Sequence, residues 1–300
     1  MIKKKKLPWG QIVLNIVFIL ITLMYIIPLI MVVTVSFTDE TEILQNGYRL
    51  IPNKISFVAY EVLFDTGIKK LIRAYGVTIA FTALSTILST LVNALLAYPL
   101  ARNNFLWKKP LNFYVYFTML FSGGLVPSYI LIRNYLHMYN SFWVYVIPGL
   151  VSAYTVMVIR TNYKAIPEEL VEAAKIDGAS EMFICFKILM PLCKAGLAAV
   201  AFLYLVGKWN DWMTTMIYID DTELYSLQYL LQRLLQDAEF LKKSTMMGGT
   251  GAGAVTSDVA LPTEGLRFAM ALVAAGPVLV IFPFFQKHFA KGMTIGGVKG

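Results

Sequence analysis

The sequence predicts an all-α membrane protein with six transmembrane helices and both termini in the cytoplasm. Three observations carry this. Only 15% of the 300 residues are charged, against roughly a quarter in a soluble domain, and mean hydropathy is +0.64. Six apolar stretches recur, each near the ~20 residues that take a helix across a bilayer. Basic residues gather on one side of those stretches, as the positive-inside rule requires.

The first stretch, 12–35, follows Lys3, Lys4, Lys5 and Lys6. That order imitates a secretory signal. The apolar run, however, exceeds the about 7–15 residues of a signal core, and no small-x-small site follows cleanly. A retained span is expected. The segment 36–70 is then extracellular, with turn signals at Asn46-Gly47, Pro52-Asn53 and Thr66-Gly67. The second span, 72–100, carries a stripe of Thr78, Thr82, Ser85, Ser89 and Asn93. Small polar residues let membrane helices approach closely, so the stripe reads as a packing face; lining a pathway is the other reading. The third span is expected at 111–131, the fourth at 142–159, the fifth at 195–219 and the sixth at 266–285. Pro28, Pro127, Pro148, Pro277 and Pro283 sit in or near them. Neighbouring helices can satisfy the backbone groups that prolines free, so these read as kinks.

Between the last two spans, 220–264 is a second outer segment. Leu227, Leu230, Leu231, Leu234 and Leu235 give it an amphipathic helix over 224–241. "MMGGTGAGAVTSDVALP" follows, small and flexible. Gly249, Gly251 and Ala254 fit a loose G-x-G-x-x-A, but no strand or βαβ pattern surrounds them, so no dinucleotide site is expected. No G-x-x-x-x-G-K-[ST] occurs anywhere. If ATP drives this protein, another chain binds it.

The net charge of +8 belongs to the inner face. Arg102, Lys108, Lys109, Arg160, Lys164, Lys175, Lys187, Lys194, Lys287, Lys291 and Lys299 all fall there with the N-terminal lysines. That is charge sorting across a bilayer, not nucleic-acid binding. Cys185 and Cys193 lie on the same reducing side and make no disulfide framework. His137 is expected outside and His288 at the cytoplasmic edge; neither has a metal-like partner. No paired carboxylates, HExxH or nucleophile–base set appears, which argues against a membrane enzyme; no catalytic residue, metal or cofactor is expected. Intramembrane acids are nearly absent and no inverted repeat is evident, which argues against an ion-coupled carrier.

One segment breaks the apolar pattern: "PEELVEAAKIDGASEMFICFKILMP", 167–191. Pro167 suits the first turn of a helix, and Glu168 and Glu169 favour its positive end. Gly178 supplies a stop where left-handed backbone is cheap, and Ser180 can cap the next helix. The residues describe a short helix along the inner membrane surface with a narrow alanine face. Such a helix is either an interfacial connector or a contact for another protein.

Glu172-Ala173-Ala174, three residues, Gly178, nine residues, then Ile188-Leu189-Met190-Pro191 resembles the EAA motif of ABC-transporter permeases, E-A-A-x3-G-x9-I-x-L-P. Met190 stands where the motif has Leu, a volume-conserving change. "FSGGLVPSYILIRN", "SFWVYVIPGLVSAY", "WNDW" and "FFQKHFAKGMTIGGVKG" resemble bacterial carbohydrate permeases of the maltose type, in the subgroup called LplC- or YtcP-like. The resemblance implies a type I importer permease fold: an N-terminal part with the first span and outer loop (1–71), a transmembrane domain (72–291) holding the coupling loop 164–191, and a cytoplasmic tail (292–300). It implies sugar import with no bond chemistry of its own. It also implies partners: two ATPase copies, a second homologous permease and an extracytoplasmic solute-binding protein. Glu172, Ala173, Ala174, Asp177, Gly178, Ile188 and Pro191 would then couple to the ATPase, and the basic tail 287–300 would either reach the ATPase or fray.

Lys208 and Asp211 lie one turn apart in the fifth span, where a charge costs about 2.5–3.5 kcal/mol. Two readings are open. Trp209, Asn210, Asp211 and Trp212, with Asn93, offer hydrogen bonds and aromatic faces to a sugar in a wet path. Alternatively, Lys208 and Asp211 are an i,i+3 ion pair near the outer interface, anchored by tryptophans.

Overall fold

The computed structural model describes residues 9–65, 68–246 and 263–296. The lysines at 3–6, the turn signal at 66–67, the Gly-rich stretch 247–262 and the last residues 297–300 lie outside the described residues. Among those described, the regular structure is helical and the one β pairing is an isolated Thr38–Ile55 bridge. Two compact units are present, one of 1–68 with 233–276 and one of 69–232 with 277–300.

In the first unit, α1 (Trp9–Ser36) is 28 residues long, about 42 Å at 1.5 Å per residue. An 18-residue stretch of it has mean hydropathy 3.0, and none of that stretch is covered by the rest of the chain. Side chains such as Leu20, Met24 and Leu29 stay exposed, which only a hydrocarbon solvent makes favourable. Burial begins at Val35 and Ser36, where the chain turns. Asp39 caps α2 (Glu40–Asn46) by accepting from Thr41 N at 3.0 Å. Glu42 accepts from the amides of Asn53 and Lys54, at 2.9 and 2.7 Å. Phe37 stacks on Tyr60 of α3 (Val58–Asp65) with centroids 4.9 Å apart. Glu40 Oε2 receives the amide of Gly265 at 3.1 Å, at the start of the last helix (Thr263–Gly296). A carboxylate at a helix N-terminus satisfies orphan amides and meets the positive end of the dipole.

In the second unit, α4 (Ile68–Ala101) runs 34 residues. Its stripe of Thr78, Thr82, Ser85, Ser89 and Asn93 is turned inward, each residue at most 4% exposed. The third expected span is instead two helices, α5 (Lys108–Leu120) and α6 (Leu125–Ile130), the latter continuing as a π-helical turn, Leu131–Tyr135. The two parts are bent by 111° at Gly123-Gly124. The fourth expected span, 142–159, is not one helix. A 3₁₀ turn, Phe142–Tyr145, gives way to irregular backbone through Pro148-Gly149 before α7 (Ala153–Lys164) begins. Side chains satisfy the freed carbonyls: Lys208 Nζ on Tyr145 O, Tyr204 Oη on Gly149 O, and Ser89 Oγ and Asn93 Nδ2 on Leu150 O, all at 2.8 Å. Irregular backbone at membrane depth is tolerable only when protein covers it in this way.

The chain continues through α8 (Glu168–Ile176), α9 (Glu181–Phe183), a π-helical turn (Ile184–Leu189), α10 (Met190–Leu192) and α11 (Lys194–Trp209), the last two meeting at a bend of 81°. Gly196 lets α11 lie against α7: a Cβ there would sit 2.6 Å from Asn162 Nδ2. The fifth expected span breaks at Asn210–Trp212 before α12 (Met213–Tyr218). The amphipathic helix expected at 224–241 is α13 (Leu227–Met246), and α14 (Thr263–Gly296) covers the stretch expected as the sixth span. By length and composition three helices can cross a membrane among the described residues, or up to five if each bent pair is one span.

Candidate functional site

The segment 167–191 is built as its residues dictate. Pro167 is the N-cap of α8, Glu168 and Glu169 fill its first turn, and Lys175 its last. At the C-terminus the amide of Ala179 donates to Ala174 O at 2.9 Å and that of Gly178 to Lys175 O at 3.0 Å. This pair of bonds is a Schellman closure, which requires left-handed backbone at the residue between. Gly178 has φ +82°, and no side chain obstructs it. Ser180 Oγ then accepts from Phe183 N at 3.2 Å and caps α9.

A single fully buried residue, Val171, seats α8 on the protein. Glu172, Ala173, Asp177 and Gly178 face outward, and Ala174 is half-buried against the core. Ile176 is 87% exposed at the tip of the helix. Ile188 packs on the core below, and Pro191 is exposed in α10. Beneath α8 that core is tight: Val156, Ile159, Ile184, Cys185 and Leu100 are each at most 1% exposed.

Both ends of α8 are tied to the end of α4. At its start, Glu168 pairs with Arg102 at 3.4 Å and accepts from Asn103, whose Oδ1 takes a bond from Lys108 Nζ at 2.9 Å. Just beyond its end, Glu181 pairs with Lys175 at 2.5 Å and accepts from the Tyr98 hydroxyl. Arg160 Nε bonds Leu100 O at 3.1 Å. Tyr98, Arg102 and Asn103 belong to this site, yet no motif marks them. Their partners lie 65–83 positions away, beyond what periodicity can reach.

The expected path residues lie in the same unit. Trp209 is 2% exposed, its ring 6.4 Å from Tyr75. Trp212 is 37% exposed, and Asn210 is exposed. Asp211 Oδ1 accepts from Thr214 N at 3.0 Å and so satisfies an amide in the first turn of α12; its Oδ2 lies 3.7 Å from Lys208 Nζ. The i,i+3 ion pair is therefore present, and Asp211 also shapes the break. Asn93 is fully buried, its amide bonded to Ser89, Leu150 and Ser152.

Residues 94–295 match the family described as binding-protein-dependent transport system inner membrane component. The chain belongs to this family. It is 33% identical over 282 residues to the polygalacturonan/rhamnogalacturonan transport system permease protein YtcP of Bacillus subtilis (strain 168), covering 94% of this chain and 95% of that one. Protein LplC of the same organism is 33% identical, covering 92% and 90%. Among solved structures, a bacterial ABC transporter involved in the import of the acidic polysaccharide alginate aligns with a TM-score of 0.76 at 24% identity, covering 93% of this chain and 96% of that one, which shows the fold. This permease is thus an inner-membrane component of a binding-protein-dependent ABC importer and not an enzyme; in its family a separate ATPase subunit hydrolyses ATP and a solute-binding protein delivers the cargo.

Proposed function

We propose that this permease supplies half of the path of an ATP-driven oligosaccharide importer. It spans the membrane six times with both termini inside, pairs with a second homologous permease, and works with two ATPase copies. α8 is the coupling helix and seats in a cleft of the ATPase. The observation that carries this is the exposed tip of α8. Ile176 stands 87% exposed beside Glu172 and Ala173, on a helix whose backbone is closed and whose ends are tied down. Seating Ile176 in a cleft of a protein partner would take its apolar surface out of water. When ATP closes the ATPase pair, α8 and the end of α4 move together and swing the spans between outward- and inward-open states.

The cargo reading follows the name of YtcP: a glycan of the polygalacturonan class, delivered from outside. Asn210, Asp211 and Trp212 line its path, with Asn93 holding the backbone behind them and Trp209 buried beside Tyr75. Affinity purification of tagged permease in mild detergent tests the coupling. Wild type is expected to bring down a Walker-bearing ATPase and the second permease. Glu172→Lys is expected to keep the permease and lose the ATPase. Wild type recovered without any ATPase would sink the reading and favour a self-sufficient carrier.

A further inference from the structure

One cluster in the second unit takes no part in the coupling site. Arg133 lies in the π-helical turn after α6 and is exposed. Its guanidinium stands 4.5 Å from the ring centroid of Tyr139 and 5.6 Å from that of Tyr129, and donates to the Tyr129 hydroxyl. Tyr129 in turn stacks on Tyr218 at 5.7 Å. Tyr139 Oη donates to Asp220 Oδ2 at 2.7 Å. Among the described residues no carboxylate forms an ion pair with Arg133.

The backbone behind this cluster is strained and over-determined. His137 and Asn140 have φ of +50° and +54°, uncommon for residues with a side chain. Asn140 N donates to Tyr218 O at 2.8 Å, and its Oδ1 accepts from the amides of Asp220 and Asp221 at 3.0 and 2.8 Å. One residue therefore welds the 136–141 loop to 218–221. Left-handed backbone at residues with a side chain persists only where the surroundings hold it. Here the two residues hold an exposed arginine between aromatic rings.

We propose that Arg133, clamped by Tyr129 and Tyr139 beside Asp220, binds a carboxylate-bearing sugar unit at the outer mouth of the path. The chemistry matches group by group. A guanidinium has five N–H donors in a planar fork that fits a carboxylate bidentately, and one is used on Tyr129. Stacking on Tyr139 fixes the fork in advance, so little freedom is lost on binding. Tyrosine faces suit the C–H face of a sugar ring, and Asp220 can accept from its hydroxyls. The proposal rests on the glycan-import reading above.

The test uses the whole transporter, with its ATPase and binding protein, in proteoliposomes. Uptake of an oligogalacturonide is compared with uptake of its methyl ester, which keeps the sugar and removes the charge. Wild type is expected to prefer the acid. Arg133→Gln is expected to lower acid uptake about tenfold, leave the ester unchanged, and leave binding-protein affinity as it was. Arg133→Lys, a charge without the fork, should fall between. Equal losses on both glycans overturn the proposal and make Arg133 a docking or folding residue. A preference unchanged in Arg133→Gln, or absent in wild type, also overturns it. If wild type moves neither glycan while its ATPase turns over, the import reading itself fails.

Discussion

Asn93 Nδ2 donates to the carbonyl of Leu150 at 2.8 Å across 57 positions of sequence, and Asn93 Oδ1 accepts from Ser152 N at 2.9 Å. This one amide bridges α4 to the irregular backbone that replaces a fourth continuous helix. Asn93→Ala removes both bonds and orphans the Ser152 amide. A loss of about 1–3 kcal/mol is expected, seen as a lower Tm in detergent. Were Asn93→Ala as stable as wild type but weaker in sugar uptake, the residue would belong to the path and not to the scaffold.

Gly178 has φ +82° inside a closure that needs that geometry. Space is not the constraint, because a methyl group added there would meet nothing within 4 Å. Conformation is. A β-branched residue there is expected to weaken the end of α8 by about 1–2 kcal/mol, and Asn, which tolerates left-handed backbone, by less. Gly178→Val should therefore lose ATPase in affinity purification while Gly178→Asn keeps most of it. Equal losses would mean that bulk at the partner surface, not backbone strain, sets the requirement.

The two ties from α8 to the end of α4 predict graded uncoupling. Arg102 and Glu168 are partly screened by solvent, so their pair is worth about 1 kcal/mol or less. Arg102→Glu should lower transport per ATP modestly, and Arg102→Glu with Glu168→Arg should restore it. Tyr98→Phe together with Glu168→Ala cuts both ties, since Glu168 holds both Arg102 and Asn103, and is expected to let ATP hydrolysis proceed with little transport. Coupling that survives the double cut would show that α8 drives the spans through α11 alone.

Much of this was legible in the residues. Glu168 and Glu169 in a first turn, a left-handed stop at Gly178 and a cap at Ser180 are each found at their residues, while Pro167 stands one position before the first turn, at the N-cap. The polar stripe on α4 reads as packing and is buried. Hydropathy, however, reports only that 142–159 is apolar. The helix is interrupted at Pro148-Gly149, and the break is tolerated because Lys208, Tyr204, Ser89 and Asn93 supply bonds to the freed carbonyls from positions remote in sequence. Asp211 shows the same limit: its charge looks functional in isolation, and its bonds hold a first-turn amide of α12 and pair Lys208. The ties of Glu168 and Glu181 to α4 carry no local signal at all.

The loop that follows α1 should be acid-sensitive, through Glu42. Its carboxylate accepts from the amides of Asn53 and Lys54, and these bonds hold its pKa below the ordinary value of 4.5. A depressed carboxylate contributes stability that is fully present above the unfolded value and is lost as pH falls through the folded one. The loop should therefore be unchanged from neutral pH down to about 5 and loosen below 4.5 as Glu42 takes up a proton. Hydrogen exchange at the Asn53 and Lys54 amides reads this directly, because those two donors lose their acceptor. In Glu42→Gln the amides should exchange faster already at neutral pH, since a neutral acceptor is weaker than a charged one. Their protection should then no longer fall between pH 5 and 3. If wild type and Glu42→Gln show the same acid profile, another carboxylate controls the loop. Asp39 is the next to examine, being lowered chiefly by its bond from the Thr41 side chain at the start of α2.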